Sequence, residues 1–229
     1  MSTTRKPTKP TRKRRGGDRQ TQRQLLLLLG ILALFIAGGF AFAMTGPSAD
    51  DARADVELEG EPLEPLPPDD EGAVADPSTG EPAPVARGTT LDGEPITIGE
   101  PEDGRPQLVV GLAHWCPACQ AEVPQVADAM EAGDLPDVDV DLLAFHSLPD
   151  PGRDAATFPP GEWLAEEGWT IPTLADDAGD PTMNALSGNN PVTPYWVAID
   201  GEGRIVERRT GIQPIPELAA WMESLAEGS

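Results

Sequence analysis

The chain has 229 residues and a formal net charge of −23, from 16 Lys and Arg against 39 Asp and Glu. This length fits one ordinary domain with extensions. Residues 1–24 contain 9 of the 16 basic residues and one acid, so this segment carries +8 and the rest of the chain −31. Because nucleic-acid binding needs a basic surface, the acidic body argues against that function, and no nucleic-acid partner is expected.

A basic tail at 1–24 precedes a membrane segment predicted at 25–44, which is uncharged and almost wholly apolar. Twenty helical residues span roughly 30 Å, the thickness of a hydrocarbon core. The basic flank is predicted to stay in the cytoplasm. The chain is therefore predicted to be a single-pass protein of the cell membrane with an extracytoplasmic C-terminal domain. A cleaved signal peptide is the alternative, since residues 41–43 read Ala-Phe-Ala, but the long apolar run favours an uncleaved signal-anchor.

Residues 45–83 are rich in Pro, Glu, Asp, Gly and Ala, with almost no large apolar side chains. A segment of this composition buries too little apolar surface to offset the loss of chain entropy on folding. It is predicted to be an acidic, Pro-rich disordered linker that holds the domain away from the membrane. The folded domain is predicted to begin near Pro84 and to occupy residues 84–229.

Strands and helices are predicted to alternate through this domain. A hairpin covers 89–98 with its turn at Asp92 and Gly93, and a buried strand covers 107–113. The later elements are a helix at 117–132, a parallel strand at 138–145, a helix at 160–169, a strand at 170–174, a helix from 181 to near Gly188, antiparallel strands at 195–199 and 204–209, and a last helix around 218–225. This order predicts an α/β fold with a mixed central sheet, an N-terminal hairpin extension and helices on both faces.

The only two cysteines, Cys116 and Cys119, lie where the buried strand meets the first helix. Pro117 suits the first helical position. It puts Cys116 at the N-cap, where the helix dipole stabilises a thiolate. Cys119 lies about one turn further in and is more shielded. The pair predicts disulfide exchange in which Cys116 attacks a disulfide and Cys119 resolves the mixed disulfide.

Two other interpretations of this spacing are weaker. Half a zinc site would need further ligands, and the chain has no second cysteine pair and only two histidines, His114 and His146. A purely structural disulfide would close so short a loop that it would constrain the unfolded chain little.

Residues 84–229 resemble the thioredoxin superfamily, and more narrowly its membrane-anchored TlpA/ResA-type thiol–disulfide oxidoreductases. Four segments carry the resemblance: Thr-Leu-Asp-Gly at 90–93, Trp-Cys-Pro-Ala-Cys at 115–119, Cys-Gln-Ala-Glu-Val-Pro at 119–124, and Val-Thr-Pro at 192–194 before a strand. The resemblance implies a thioredoxin-like fold in which Pro194 is cis and lies beside the cysteines. The backbone of Thr193 would then pair with an extended substrate chain, and Trp115 would flank the nucleophile as an apolar contact surface.

Two positions depart from thioredoxin itself. Val110 stands where thioredoxins keep a buried aspartate, and Leu112 where an aromatic residue is usual. Without that aspartate, another group must accept the proton of Cys119. Glu122 shares the helix face of Cys119 one turn away, and the resemblance implies this role for it. The alternative is an exposed surface acid.

The histidines are less informative. His114 either tunes the Cys116 thiolate electrostatically or is an exposed strand-end side chain at the rim of the site. His146 ends the second parallel strand, and the sequence gives it no role.

The resemblance implies reduction of disulfides in partner proteins, for example on apocytochrome c before haem attachment in cytochrome c biogenesis. A membrane-embedded redox partner would recharge the domain. No metal or cofactor is expected besides the redox-active disulfide of Cys116 and Cys119. Two alternatives stay open: an oxidase that introduces disulfides into exported proteins, and a non-enzymatic copper chaperone that binds Cu(I) through both thiolates and a histidine.

Overall fold

The computed structural model describes residues 56–67, 75–147, 154–177 and 179–228. The basic tail at 1–24 and the membrane segment at 25–44 lie outside the described residues, so both remain predictions. Within the described stretches, no helix has the length and apolar character that crossing a membrane requires.

Strands and helices alternate along the described residues. The strands are β1 (Glu57–Glu59), β2 (Val85–Thr89), β3 (Pro95–Ile98), β4 (Gln107–Leu112), β5 (Asp141–His146), β6 (Thr173–Ala175), β7 (Tyr195–Ile199) and β8 (Ile205–Thr210). The α-helices are α1 (Pro117–Ala132), α2 (Pro160–Glu166), α3 (Pro181–Ser187) and α4 (Ile215–Glu227). Two short 3₁₀ helices occupy Glu102–Gly104 and Ala155–Thr157.

Five strands form the central sheet, in the order β6-β5-β4-β7-β8. β4, β5 and β6 run parallel, whereas β7 is antiparallel to β4 and β8 is antiparallel to β7. The predicted mixed sheet is therefore confirmed. Gly111 near the end of β4 pairs with Tyr195 at the start of β7. This pairing brings the segment after β4 and the segment before β7 to the same edge of the sheet.

Both faces of the central sheet are buried. On one face, α1, α2 and α4 pack against β4 around Leu108 and Val110. On the other face, Val109 packs with Ile98 of β3 and Met183 of α3. Because alternate residues of β4 meet different cores, the strand is apolar from Leu108 to Leu112. Helices on both faces are confirmed, and the small antiparallel sheet β1-β2-β3 covers part of the second face.

The predicted N-terminal hairpin is present as β2 and β3. Thr90 Oγ1 accepts the main-chain N–H of Glu94 at 3.1 Å across the turn. Gly93 has φ of 89°, a left-handed conformation that glycine adopts without strain. The hairpin is longer than predicted, since its first strand begins at Val85.

The prediction of a disordered linker over 45–83 is wrong for its described part, residues 56–67 and 75–83. β1 pairs with the edge of β2. Leu63 is buried in the second core, and its N–H donates to the carbonyl of Ala185 at 2.9 Å. The order of this extension comes from surfaces that distant residues provide, which its own composition does not reveal.

A buried ion pair anchors the extension to β8. The side chain of Arg208 is fully buried, and its guanidinium donates to both carboxylate oxygens of Asp76, with Nε and Oδ2 2.8 Å apart. The same group donates to the carbonyls of Glu64 at 2.9 Å and Leu186 at 3.0 Å. Burial opposes ionisation of Asp76, but the hydrogen bonds from Arg208 and from the N–H of Ser78, together with the charge of Arg208, outweigh it and lower the pKa of Asp76. Arg208 thus fixes both parts of the extension.

Three smaller boundaries also differ from the prediction. β5 begins at Asp141, α2 ends at Glu166 and β6 begins at Thr173. Val138 and Val140, which suggested an earlier start for β5, pack as partly buried side chains against the first core. Their apolar alternation therefore reflects packing of a loop.

Candidate active site

Cys116 stands where β4 gives way to α1. It is the N-cap of α1, with extended φ of −86° and ψ of 117°, and Pro117 follows in the first turn. Cys116 is 8% exposed, whereas Cys119 is fully buried. The local structure thus agrees with the placement that the sequence predicts for both thiols.

The Cys116 thiol is surrounded by hydrogen-bonding groups. Its Sγ donates to the carbonyl oxygen of Thr193 at 3.3 Å. Burial opposes ionisation, but hydrogen bonds with the side chain of Thr193, with the N–H and thiol of Cys119 and with the N–H of Ala118 lower the pKa of Cys116 below its ordinary value. N–H groups in the first turn of a helix have no partner within the helix, so they are available to a thiolate.

The Cys119 thiol has the opposite electrostatic surroundings. Burial raises its pKa well above the ordinary value, and the negative charge of an ionised Cys116 raises it further. A hydrogen bond with the Ala113 backbone opposes these effects without cancelling them. The two thiols of one helical turn therefore differ strongly in acidity, with Cys116 the more acidic.

The loop before β7 lies beside the thiols. The Thr193–Pro194 peptide bond is cis, as the resemblance implies. Pairing of β7 with β4 carries this loop to the carboxyl end of β4, where the Thr193 carbonyl contacts Cys116. The structure therefore brings together three of the predicted site residues, Cys116, Thr193 and Pro194.

Two apolar side chains flank this contact in the sequence. Trp115 precedes Cys116, is half-buried, and packs against the first core. Val192 precedes Thr193 and has 41% of its surface exposed. Both have accessible apolar surface, and each is adjacent in sequence to a residue of this contact.

Glu122 is a buried acid, so the alternative of an exposed surface residue is wrong. It is 1% exposed, on the face of α1 that carries Cys119. Its Oε1 accepts the main-chain N–H of Gln213 at 2.7 Å and the indole N–H of Trp196 at 3.2 Å. Burial raises the pKa of Glu122 to about 7, against these two hydrogen bonds, which lower it. Its Oε2 is buried, and no described residue hydrogen-bonds to it.

The histidines are buried, so the alternative of His114 as an exposed rim residue is also wrong. β4 ends at Leu112, and the following turn directs His114 inward, where its ring stacks on His146 with centroids 5.4 Å apart. The main-chain N–H of His114 donates to Nε2 of His146 at 3.0 Å. Burial lowers the pKa of His146 to about 3, and the nearby His114 adds to this effect. A neutral His146 thus anchors the backbone just before the Trp115–Cys119 motif.

The sequence analysis did not single out Trp196 or Gln213. The tryptophan inside the predicted buried strand indicates a hydrogen-bond acceptor elsewhere in the chain, because a buried indole N–H usually has one. That acceptor, Glu122, lies 74 positions away in the sequence. Gln213 acts through its main chain, which no side-chain pattern reveals.

The two cysteines are free thiols in this structure. Among the described residues, no group of three or more His, Cys, Asp or Glu side chains is arranged to hold a metal ion.

Comparison with solved structures finds several proteins to which part of this chain is similar. StoA from Bacillus subtilis is 22% identical, with 61% of this chain and 96% of that one covered and a TM-score of 0.49. A thiol:disulfide interchange protein from Chlorobium tepidum TLS is 18% identical, with coverage of 66% and 99% and a TM-score of 0.49. A secreted Mycobacterium tuberculosis disulfide oxidoreductase is 22% identical, with coverage of 61% and 95% and a TM-score of 0.44. No curated protein matches the chain.

The family assignment rests on a match that covers more than half of the chain. The family model described as Redoxin matches residues 78–221, a range that contains both thiols, Glu122 and the cis-proline loop. The match begins within the ordered extension, ahead of the predicted domain start at Pro84. The chain therefore belongs to the Redoxin family.

Proposed function

We propose that the protein reduces disulfide bonds of other proteins outside the cytoplasm through Cys116 and Cys119. One observation carries this proposal: two thiols of a single helical turn have opposite pKa shifts, lowered for Cys116 and raised for Cys119. Such a pair provides one attacking thiolate and one resolving thiol that stays protonated until the mixed disulfide has formed.

The reaction begins with the reduced pair. The Cys116 thiolate attacks one sulfur of the substrate disulfide, so that a Cys116–substrate bond forms as the substrate S–S bond breaks, and the departing thiolate takes up a proton. Cys119 then loses its proton and attacks Cys116 Sγ, which releases the second substrate thiolate for protonation. Two electrons and two protons pass to the substrate, counting the proton that Cys116 loses on ionisation, and the Cys116–Cys119 disulfide remains.

Glu122 supplies the base that Cys119 needs. Because its pKa is about 7, its ionised and protonated forms are both well populated near neutral pH. It takes the Cys119 proton in one direction of the reaction and returns it in the other. Its Oε2 is the oxygen available for this proton, since Oε1 already accepts two N–H groups.

The substrate is a protein chain in this proposal. An extended segment around its disulfide pairs with the backbone of Thr193, next to the attacking sulfur. Trp115 and Val192 contact apolar side chains of that segment, since both have apolar surface accessible. The contact of the Thr193 carbonyl with Cys116 Sγ at 3.3 Å supports this arrangement, because it puts the pairing backbone within reach of the reacting atom.

The reducing direction rests on the resemblance to TlpA/ResA-type proteins. The same resemblance suggests apocytochrome c as an example of a substrate and a membrane-embedded protein as the electron donor. The apolar segment at 25–44 supports a position at the outer face of the cell membrane, where the domain can meet such a donor.

The reduction potential of the purified protein tests the direction. A reductase should have a potential near that of thioredoxin, about −270 mV, and an oxidase one near about −120 mV. Trapping the thiols in intact cells by rapid alkylation gives the second measurement, and a reductase should be recovered mainly as the dithiol. An oxidising potential together with recovery as the disulfide would replace the reductase with the oxidase.

A further inference from the structure

Two elements outside α1 hold the carboxyl group of Glu122. We propose that Trp196 is a positioning residue for the proton step: its indole N–H, with the main-chain N–H of Gln213, fixes Oε1 of Glu122 and leaves Oε2 to exchange the proton with Cys119. This inference rests on the proposed function, in which Glu122 accepts the proton of the resolving thiol.

The distribution of hydrogen bonds over the carboxyl group carries the argument. Both N–H groups meet Oε1, at 2.7 Å from Gln213 and 3.2 Å from Trp196. A carboxylate oxygen has two lone pairs, so two N–H donors use its capacity and leave none for a proton. Oε2 is buried without a hydrogen bond to a described residue. The proton of Glu122 therefore belongs on Oε2.

The position of Trp196 is fixed by the sheet. It is fully buried in β7 and lies directly opposite Val110 of β4. Both side chains belong to the first core, so they share the face on which α1 packs. Val110 offers the indole no acceptor, and the carboxyl group of Glu122 provides one.

The second donor is fixed through the cis-proline loop. The side-chain amide of Gln213 donates to the carbonyl of Gly211 at 2.9 Å, which holds the segment before α4 in shape. The N–H of Gly211 donates to the carbonyl of Pro194 at 2.9 Å. Glu122 is thus held between β7 and the segment before α4, and that segment is in turn hydrogen-bonded to the loop that contacts Cys116.

No charged group of the described residues is among the causes of the shifted pKa of Glu122. On α1 itself, Cys119 lies one turn away. From β8, Arg209 stands opposite Trp196, but its guanidinium is paired with Glu207 at 2.8 Å and lies 3.9 Å from the ring centroid of Trp221 on α4. β7 and the segment before α4 contribute the two N–H donors. The indole N–H therefore acts on the titration of Glu122 directly, by stabilising its ionised form.

The first experiment detects the hydrogen bond between Trp196 and Glu122 in the wild-type protein. The full chain is labelled with 15N-tryptophan and kept reduced in detergent, and its indole N–H signals are recorded by NMR. Tryptophan-to-phenylalanine variants assign each signal to a residue. The Trp196 signal should titrate with a midpoint at about pH 7, and the step should vanish in Glu122→Gln. The Trp221 signal is the matched control, because no described residue accepts its N–H. A Trp196 signal without a step between pH 5 and 9 would overturn the proposal.

The second experiment measures the pH dependence of the resolving step, in which Cys119 displaces a small thiol from a mixed disulfide on Cys116. Trp196→Phe keeps an aromatic side chain and removes the indole N–H, so the midpoint should move up by about one pH unit. Trp221→Phe should leave the midpoint at about 7. In a Glu122→Gln background, Trp196→Phe should cause no further shift. An unchanged midpoint in Trp196→Phe, or a shift that persists without Glu122, contradicts the proposal.

The two experiments also separate this inference from the proposed function. The indole titration needs no exchange reaction, so it decides the role of Trp196 even if a variant loses activity. A wild-type protein that reduces no protein disulfide would refute the proposed function and leave the titration result standing.

Discussion

Glu122→Gln should remove a pH dependence from the folding stability. An acid whose pKa is raised by folding binds more protons in the native state, so stability falls as the pH rises from the unfolded pKa through the folded one. For Glu122 these values are 4.5 and about 7. The difference of about 2.5 units corresponds to about 3 kcal/mol at 1.36 kcal/mol per unit. The wild type should lose this amount between about pH 4 and pH 8.

The variant isolates this effect because glutamine has the same shape. Its carbonyl oxygen can accept the N–H groups of Trp196 and Gln213 as Oε1 does. It does not titrate, although its buried NH₂ group adds a constant penalty. The free energy of unfolding of the variant, relative to the wild type, should therefore rise by about 3 kcal/mol from pH 4 to pH 8, whatever the constant offset.

Urea unfolding under reducing conditions, followed by tryptophan fluorescence at unit steps of pH, measures this difference. Glu131→Gln is the matched control, since Glu131 is an exposed glutamate on the same helix, and it should leave the slope unchanged. Parallel curves for wild type and Glu122→Gln would refute the reasoning, because they would mean that Glu122 titrates alike in the folded and unfolded chain.

The remaining predictions concern the thiols, the extension and the topology. Cys119→Ser should trap mixed disulfides with substrates and Cys116→Ser should trap few, as gels without reductant will show; equal alkylation of both thiols at neutral pH would contradict this assignment. Asp76→Ala leaves the charge of Arg208 buried and unpaired, so it should cost about 3 kcal/mol or more in urea unfolding. An effect near zero would mean that the extension contributes little. Protease added to intact spheroplasts should remove residues 45–229, and protection of the domain would reverse the orientation.

Local sequence patterns were sufficient to predict the helix and the strand that position the site. The bounds of α1 and β7 agree with the prediction, because Pro117, a helical apolar period and a short apolar run each act within a few residues. The N-cap position of Cys116 follows from the same local rules.

Long-range contacts explain what the sequence did not reveal. The order of the extension depends on Arg208, whose partner Asp76 lies 132 positions away. The burial of Glu122 depends on donors 74 and 91 positions away. His114 looked exposed because the strand seemed to end at a rim, whereas the chain turns inward onto His146. None of these contacts leaves a periodic pattern near the residue concerned.

The hydrogen bonds that lower the pKa of Cys116 have a consequence for ionic strength. These groups are dipolar and in direct contact with the sulfur. Salt screens charges over about 10 Å or more at 0.1 M and acts little on such contacts. The ionised fraction of Cys116 should therefore stay nearly constant as salt is added. The chain after residue 24 carries a net charge of −31, so encounters with a charged partner should vary strongly with salt. Rates with an uncharged small disulfide and with a charged protein, compared across salt concentrations, separate the acidity of the thiol from the docking of its partner.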